Sequence, residues 1–286
     1  MRRLYALSLF CLAAASGSAC KPEEVVETED IPTAGVRFLH LVPDTSGFDF
    51  RPVDIVENST FYNMTYRSTT LFLYKAARAD RPRHFKIFKS PNVADPPAVQ
   101  QATASTVIAD LDNVTLEAGK KYTFVIWGNA RASSGAPSMR VTMLTDDPAD
   151  PGAQVALRII NASGDAIDGR AYVTASGAPA TPTWANVAAL SASSYSNVAV
   201  SSTITFSATA VGSTTALATG AAPAGTAQAV DIEAIPGTNI AGSAIVGIFA
   251  PRSVSGSTAT NITTPGFIFG FERRPPRTCA LCAPAQ

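Results

Sequence analysis

Charge is scarce in this chain. Of its 286 residues only 15% are Asp, Glu, Lys or Arg, and the 22 cations balance the 22 anions. A soluble protein usually carries about 25%. A general nucleic-acid binder needs a basic excess, so no nucleic-acid partner is expected. From Ala171 to Val230 there is no Asp, Glu, Lys, Arg or His at all. A helical domain would carry charges along its exposed face, whereas a sheet can solvate its outer face with Ser and Thr. This stretch therefore reads as β. The alternative is a disordered low-complexity linker, and Trp184, Tyr195, Ile204, Phe206 and Val211 count against it by supplying core material.

Reactive groups are scarce as well. Histidine is limited to His40 and His84, too few for a His-based zinc site, which takes three or four ligands. His40 reads as a satisfied structural residue in a strand. Serine is abundant, but a nucleophilic serine needs a base held by a third group, and no Gly-x-Ser-x-Gly elbow occurs. Phosphate-loop and dinucleotide fingerprints are missing too. Paired carboxylates for glycosidase work are not evident among the scattered acids. Asp146, Asp147 and Asp150 offer too few oxygens for calcium, which wants six to eight, and read better as an acidic linker. The expectation is a chain with no catalytic residue, no metal and no cofactor.

Beyond the N-terminus no segment reaches the ~18 apolar residues that cross a bilayer. The N-terminus itself carries an address. Met1-Arg2-Arg3 is a basic start, Leu4–Ala15 a short apolar run, and Gly17-Ser18-Ala19 a small-residue approach to Cys20. This is the signal-peptide pattern. Cys20 after small residues resembles the lipobox of bacterial lipoproteins, which implies cleavage before it and acylation on it. Gly17 stands where that motif has an aliphatic residue, so ordinary signal-peptidase cleavage after Ala19 stays open. The expected organisation is a signal peptide over 1–19 and a polar, acidic tether over 20–35. The expected location is the cell envelope, with the membrane as partner through the lipid anchor. Cys11 lies in the removed segment, which leaves Cys279 and Cys282 as an even pair in an oxidising compartment.

What is plentiful is short strands punctuated by turns, and they repeat. Val36-Arg37-Phe38 matches Leu157-Arg158-Ile159, the arginines 121 positions apart. Phe61-Tyr62-Asn63-Met64 matches Trp184-Ala185-Asn186-Val187, and Tyr74 falls opposite Tyr195. Tyr122–Gly128 aligns with Gly242–Ile248. Ordered matches at a nearly constant offset indicate whole-domain duplication, the period being too long for a solenoid. Alternating β-branched and aromatic runs such as Tyr122–Trp127 read as strands. The predicted class is all-β, two tandem immunoglobulin-like antiparallel β-sandwich domains. The repeats span 36–146 and 153–272, joined by a linker at 147–152 and followed by a tail over 273–286.

Val36–Asp44, with its Pro43-Asp44 turn, resembles the opening of the bacterial domain-of-unknown-function family 4397. So do Leu116-Glu117-Ala118-Gly119-Lys120-Lys121-Tyr122-Thr123 and Leu144-Thr145-Asp146-Asp147. Arg158–Ser163 is similar to the same opening in a more diverged copy. The resemblance covers roughly residues 36–272. It implies secreted or lipoprotein β-domains, often in tandem, with no assigned chemistry and no catalytic residue to carry over.

One charge cluster stands out. Between positions 67 and 89 lie Arg67, Lys75, Arg78, Arg81, Arg83, Lys86 and Lys89, with His84 among them and Asp80 the sole acid. Arg78, Arg81, Arg83, His84, Lys86 and Lys89 form a candidate anion-binding hairpin for glycans, lipid head groups or another envelope component. The simpler reading, and the favoured one, is a solvated hairpin whose edge cations block sheet aggregation. Cys279-Ala280-Leu281-Cys282 follows an extended Arg-Pro tail rather than opening a helix. It reads as a disulfide candidate rather than a redox or metal motif. The function expected is a non-catalytic envelope lipoprotein with a structural, adhesive or ligand-binding role. Polyanion or glycan binding through the hairpin is the alternative, and a secreted hydrolase built on His40 or His84 a more distant one.

Overall fold

The computed structural model of the chain describes residues 30–68, 73–229 and 232–275. The all-β expectation holds. Strands fall into two sets of eight positions. The first set is β1 (Thr33–Leu41), β2 (Phe48–Pro52), β3 (Phe61–Met64), β4 (Lys75–Arg78), β5 (Arg83–Lys89), β6 (Val107–Val114), β7 (Lys121–Trp127) and β8 (Arg140–Thr145). The second is β9 (Val155–Asn161), β10 (Ile167–Val173), β11 (Trp184–Val187), the broken strand β12 (Ser191–Ala192) and β13 (Ser196–Val198), β14 (Ile204–Ala210), β15 (Ala216–Ala221), β16 (Ala244–Ala250) and β17 (Gly266–Arg273). A short helix, Pro97–Ala104, bridges β5 and β6 and buries none of its residues.

Each set makes two sheets. In the first, β4-β1-β7-β8 form an inner sheet and β3-β2-β5-β6 an outer one. In the second, the inner sheet is β12-β9-β16-β17, with β13 also on β9, and the outer is β11-β10-β14-β15. Strand for strand the second set repeats the order of the first. One detail departs from the antiparallel expectation: β1 runs parallel to β7, and β9 parallel to β16. The inner sheets are therefore mixed, and their central strands need long connections through the outer sheet rather than hairpins.

Three cores account for the layering. Phe38, Phe48, Phe50, Phe85 and Phe124 fill the space between the first inner and outer sheets. Leu157, Ile159, Trp184, Phe206 and Phe249 do the same in the second set. A third core joins the inner sheets to each other, with Leu39, Leu41, Val125 and Trp127 from one and Ile160, Val246, Ile248 and Ile268 from the other. Inner strands are thus buried on both faces, which is why β9 and β16 read as almost unbroken apolar runs rather than alternating ones. Because of this third core the described residues from Pro32 onward belong to one compact unit.

The structure refines the internal alignment. Arg37 lies opposite Thr123, and Arg158 opposite Val246. Thr123 is therefore equivalent to Val246, not to Ser243, and the expected pairing of Tyr122–Gly128 with Gly242–Ile248 is three residues out of register. Glycines hide the true match. Phe50 and Phe124 of the first core correspond to Gly169 and Gly247 of the second. Phe206 occupies the volume beside Gly247, where an added Cβ would lie 2.6 Å from its ring.

The repeated aromatic-x-Asn-apolar unit has a local cause. Asn63 and Asn186 sit at φ 47° and 51°, a left-handed conformation that Asn tolerates better than most residues. Each lies beside a register shift in its ladder, on β3 and β11. An aspartate on the neighbouring strand accepts the freed backbone N–H. Asn63 N donates to Asp49 Oδ1 and Asn186 N to Asp168 Oδ1, both at 2.8 Å. Asp168 Oδ2 also accepts from Gly212 N at 2.8 Å, and these bonds hold its carboxyl below the usual range. Asp168→Ala strands both N–H groups and is expected to cost about 2 kcal/mol, with Asp168→Asn losing less than half of that. Urea unfolding checks it, and an alanine variant within ~0.5 kcal/mol of wild type, the ordinary surface range, would refute the assignment.

Candidate functional site

The largest concentration of buried charge lies between the inner sheets. Arg37 on β1 and Arg158 on β9 alternate with residues that face the sheet-pair cores, so both point into the seam. Asp146 follows β8 and Glu272 stands near the end of β17. The side chains are between 0% and 5% exposed. Charges this deep must be paired, and here they are.

Arg37 Nη2 donates to Glu272 Oε1 at 2.9 Å and lies 3.5 Å from Asp146 Oδ2. Its Nε donates to Thr123 Oγ1 at 2.6 Å, and its Nη1 to the carbonyl of Phe271 at 3.3 Å. Arg158 pairs with both Asp146 and Glu272, its Nε donating to Glu272 Oε1 at 3.1 Å. Two tyrosines close the ends. Tyr74 Oη donates to Asp146 Oδ2 and Tyr195 Oη to Glu272 Oε2, both at 2.8 Å. Each ring also backs an arginine, Tyr74 at 4.8 Å from Arg37 and Tyr195 at 4.9 Å from Arg158. The arginine of each set thus meets the acid of the other, and each acid keeps the tyrosine of its own set, as in the isologous contact of a two-fold dimer.

The electrostatics follow from burial. Desolvation pushes both tyrosine hydroxyls up, well out of reach of neutral pH. Burial raises Glu272, against the opposing pull of Arg158. For Arg158 burial alone would lower the pKa, but Glu272 and Asp146 outweigh it and raise it. Two cations face two anions, and each anion also takes a hydroxyl donor. What this arrangement does is fix two sheet pairs in one register.

Loops reinforce it. The β16–β17 connection reaches the first set, where Val254 N donates to Pro43 O at 3.0 Å and Thr258 N to Thr45 O at 3.3 Å. Tyr66 Oη donates to Pro251 O at 2.6 Å and Arg67 Nη1 to Thr264 O at 3.0 Å. In the other direction Arg140 Nη2 donates to Leu190 O at 3.1 Å.

The basic segment fares differently from its reading as an open anion site. Arg83 is 1% exposed, gripped by Asp54 at 2.8 Å and Glu57 at 2.6 Å. It belongs to a buried pair, and this corrects its place in the candidate set. Arg78 pairs with Asp80. Lys86 meets Asp110 at 3.0 Å, and His84 lies against Asp110 and nearer Asp112 than 4 Å. Arg81 and Lys89 are exposed. The compensating acids come from the β2–β3 connection and from β6, outside the window in which the sequence shows only Asp80.

Asp146 is likewise corrected: it is no linker acid but part of the seam, while Asp150 is exposed and meets Arg273 at 2.6 Å. Among the described residues no three His, Cys, Asp or Glu side chains gather in a way that could hold a metal. His40 uses both ring nitrogens on backbone groups, Nδ1 accepting from Val42 N at 3.2 Å and Nε2 donating to Ser46 O at 2.9 Å. Cys20, the expected signal peptide and tether up to residue 29, and Cys279 and Cys282 lie outside the described residues.

Sequence reasoning also missed a second repeated motif. Phe48-Asp49-Phe50-Arg51 on β2 corresponds to Ile167-Asp168-Gly169-Arg170 on β10. The apolar-Asp-x-Arg pattern, 119 positions apart, was there to be found.

The fold and the seam define a class, a β protein of two face-packed sheet pairs fastened by buried ion pairs. Residues 34–168 match the family described as Domain of unknown function (DUF4397), the family that the opening Val36–Asp44 resembles. The match opens in β1 and closes in β10, so it includes the whole first set and enters the second. No curated protein matches the chain.

Proposed function

We propose that this is a non-catalytic, lipid-anchored envelope protein. On this reading a duplicated β-sandwich module is held as one rigid body and presented from the membrane on an acidic tether. The observation that supports it most is the use made of the chain's charged and polar groups. Arg37, Asp146, Arg158 and Glu272 hold the seam, Asp49 and Asp168 cap strand irregularities, and His40 staples a turn. Neither histidine has a serine hydroxyl as partner among the described residues, which counts against a hydrolase. A groove of about 500 Å³ lined by Asp150, Ala227, Asn239, Ile240 and Pro275 contributes a single titratable side chain, unlike the convergent polar groups of an active site.

The anchor is tested by feeding cells an alkyne fatty acid and following wild type beside Cys20→Ser. The expected result is label on the wild type in the membrane fraction, and an unlabelled variant that is released or retained as precursor. Equal fractionation with no label on either would leave ordinary cleavage after Ala19 as the answer.

A further inference from the structure

Arg51 and Arg170 occupy equivalent places on the outward faces of the two outer sheets. Arg51 lies opposite Lys86 on β5, and Arg170 opposite Ser207 on β14. Their surroundings differ. Arg170 is 3% exposed and saturated with acceptors. Its Nε donates to Pro179 O at 2.9 Å, its Nη2 to Ala180 O at 3.1 Å and Ser213 O at 3.3 Å, and its Nη1 to Thr209 Oγ1 at 2.9 Å. Two of those acceptors belong to Gly177-Ala178-Pro179-Ala180-Thr181-Pro182-Thr183, the proline-containing connection from β10 to β11, which passes over the arginine.

Among the described residues Arg51 has no such cover. The corresponding β2–β3 connection turns away to give Asp54 and Glu57 to Arg83. Among the described residues the polar partner of Arg51 is Asp49, through Nη2. Its Nε is buried without an acceptor, a state that costs about 1–3 kcal/mol in general. The guanidinium lies between two rings, 5.2 Å from Tyr62 and 4.8 Å from Phe88. Tyr62 is 64% exposed, an uncommon setting for a large aromatic side chain that neither packs in a core nor hydrogen-bonds. The second set has Ala185 and Thr209 at the positions of Tyr62 and Phe88. One copy covers its arginine with its own peptide; the other surrounds the same arginine with aromatic walls and leaves donors unmet.

We propose that the outer face around Arg51, Tyr62 and Phe88 binds an extended, proline-containing peptide segment from another protein, held as residues 177–183 are held on Arg170. Peptide carbonyls meet the guanidinium and proline rings pack on Tyr62 and Phe88. The chemistry suits such a ligand. A polyproline-like segment has no internal hydrogen bonds, so its carbonyls are free to accept, and its stiffness lowers the entropy lost on binding. Cations and acids around the site, Lys86 and Asp110 among them, are paired and select no net charge. The equivalent guanidinium is served mainly by backbone carbonyls, which favours a peptide over a sugar. This site adds a partner class to the non-catalytic envelope protein proposed above and rests on that reading, and its failure would leave the Cys20 result untouched.

The full chain, labelled with ¹³C-tyrosine and ¹⁵N-arginine, is titrated to millimolar concentration with the peptide Ser-Gly-Ala-Pro-Ala-Thr-Pro-Thr, the sequence of residues 176–183. The expected result is saturable shifts of Tyr62 and of the Arg51 Nε–H, with Arg170 unmoved. Tyr62→Ala and Arg51→Lys should each weaken binding about tenfold, as loss of a central aromatic or arginine contact does. Both positions are partly exposed, and unchanged spectra elsewhere report an intact fold. A peptide with alanine in place of both prolines should bind more weakly than the parent. Absence of shifts at millimolar peptide would overturn the proposal. So would shifts that survive Tyr62→Ala, shifts at Arg170 instead of Arg51, or shifts produced only by a neutral tetrasaccharide run in parallel, which would assign a glycan.

Discussion

Arg158→Met is expected to destabilise the protein by about 3–5 kcal/mol, the cost of stranding a buried charge, and to lower its Tm by roughly 10 °C for a unit of this size. Methionine fills most of the volume, so the loss is electrostatic. Asp146 and Glu272 are left facing Arg37 alone, between sheets that admit little solvent. Burial already raises Glu272, and Arg158 opposes that shift; without the arginine the carboxyl rises further. A folded-state pKa above the unfolded one means the folded protein binds more protons. The variant therefore recovers stability relative to wild type as pH falls towards the carboxylate range, and is worst at neutral pH. Glu272→Gln in the same chain removes the stranded anion and should restore part of the loss, with a coupling of at least ~1 kcal/mol in the double-mutant cycle. Denaturant unfolding at pH 7 and pH 5 reads all of this. If Arg158→Met cost less than ~1 kcal/mol, a value ordinary for exposed pairs, the seam would have to be wet, and the rigid joining of the two sheet pairs would fall with it.

The seam also shows what could be read from residues alone. Arg37 and Arg158, and Tyr74 and Tyr195, share one offset of 121, and that spacing exposed the duplication. A lone arginine inside an apolar strand run is itself a signal, because such a charge demands a partner. The partners were illegible. Asp146 sits among linker-like acids and prolines, and Glu272 lies near the end of a phenylalanine-rich strand, 235 positions from the Arg37 it binds. The same limit explains the basic segment, whose neutralising Asp54, Glu57 and Asp110 are brought in by strand pairing. Local chemistry was easier. The Asn at each left-handed turn lay in a recognised repeat, although its capping Asp did not. Where the second set has Gly169 and Gly247 at the places of Phe50 and Phe124, identity is lost while topology persists, and the expected pairing of the two sets is three residues out of register.

His40 supplies a test that uses one copy to interpret the other. It ends β1, packed on Phe48 with ring centroids 4.5 Å apart, and ties the following turn through Val42 N and Ser46 O. Asn161 stands in the same place on β9 and does the same job. Its Oδ1 accepts from Ser163 N at 3.0 Å and its Nδ2 donates to Asp165 O at 2.8 Å. The difference is that an imidazole titrates. Burial lowers the His40 pKa from 6.5 to about 4, against smaller opposing effects of the Ser46 carbonyl and Asp44. The unfolded chain then binds a proton below pH 6.5 that the folded chain refuses until about pH 4. Stability is full above 6.5 and falls by up to ~1.4 kcal/mol per pH unit across that window, about 3 kcal/mol in all. His40→Asn should remove this component. The readout is the difference in unfolding free energy between the two proteins from pH 7.5 to 4, so any constant packing cost cancels, as do His84 and the carboxylates common to both. The gap should close or invert in favour of the variant as pH drops. Parallel curves would mean that the ring is not held neutral, and the turn staple would lose its claim to equivalence with Asn161.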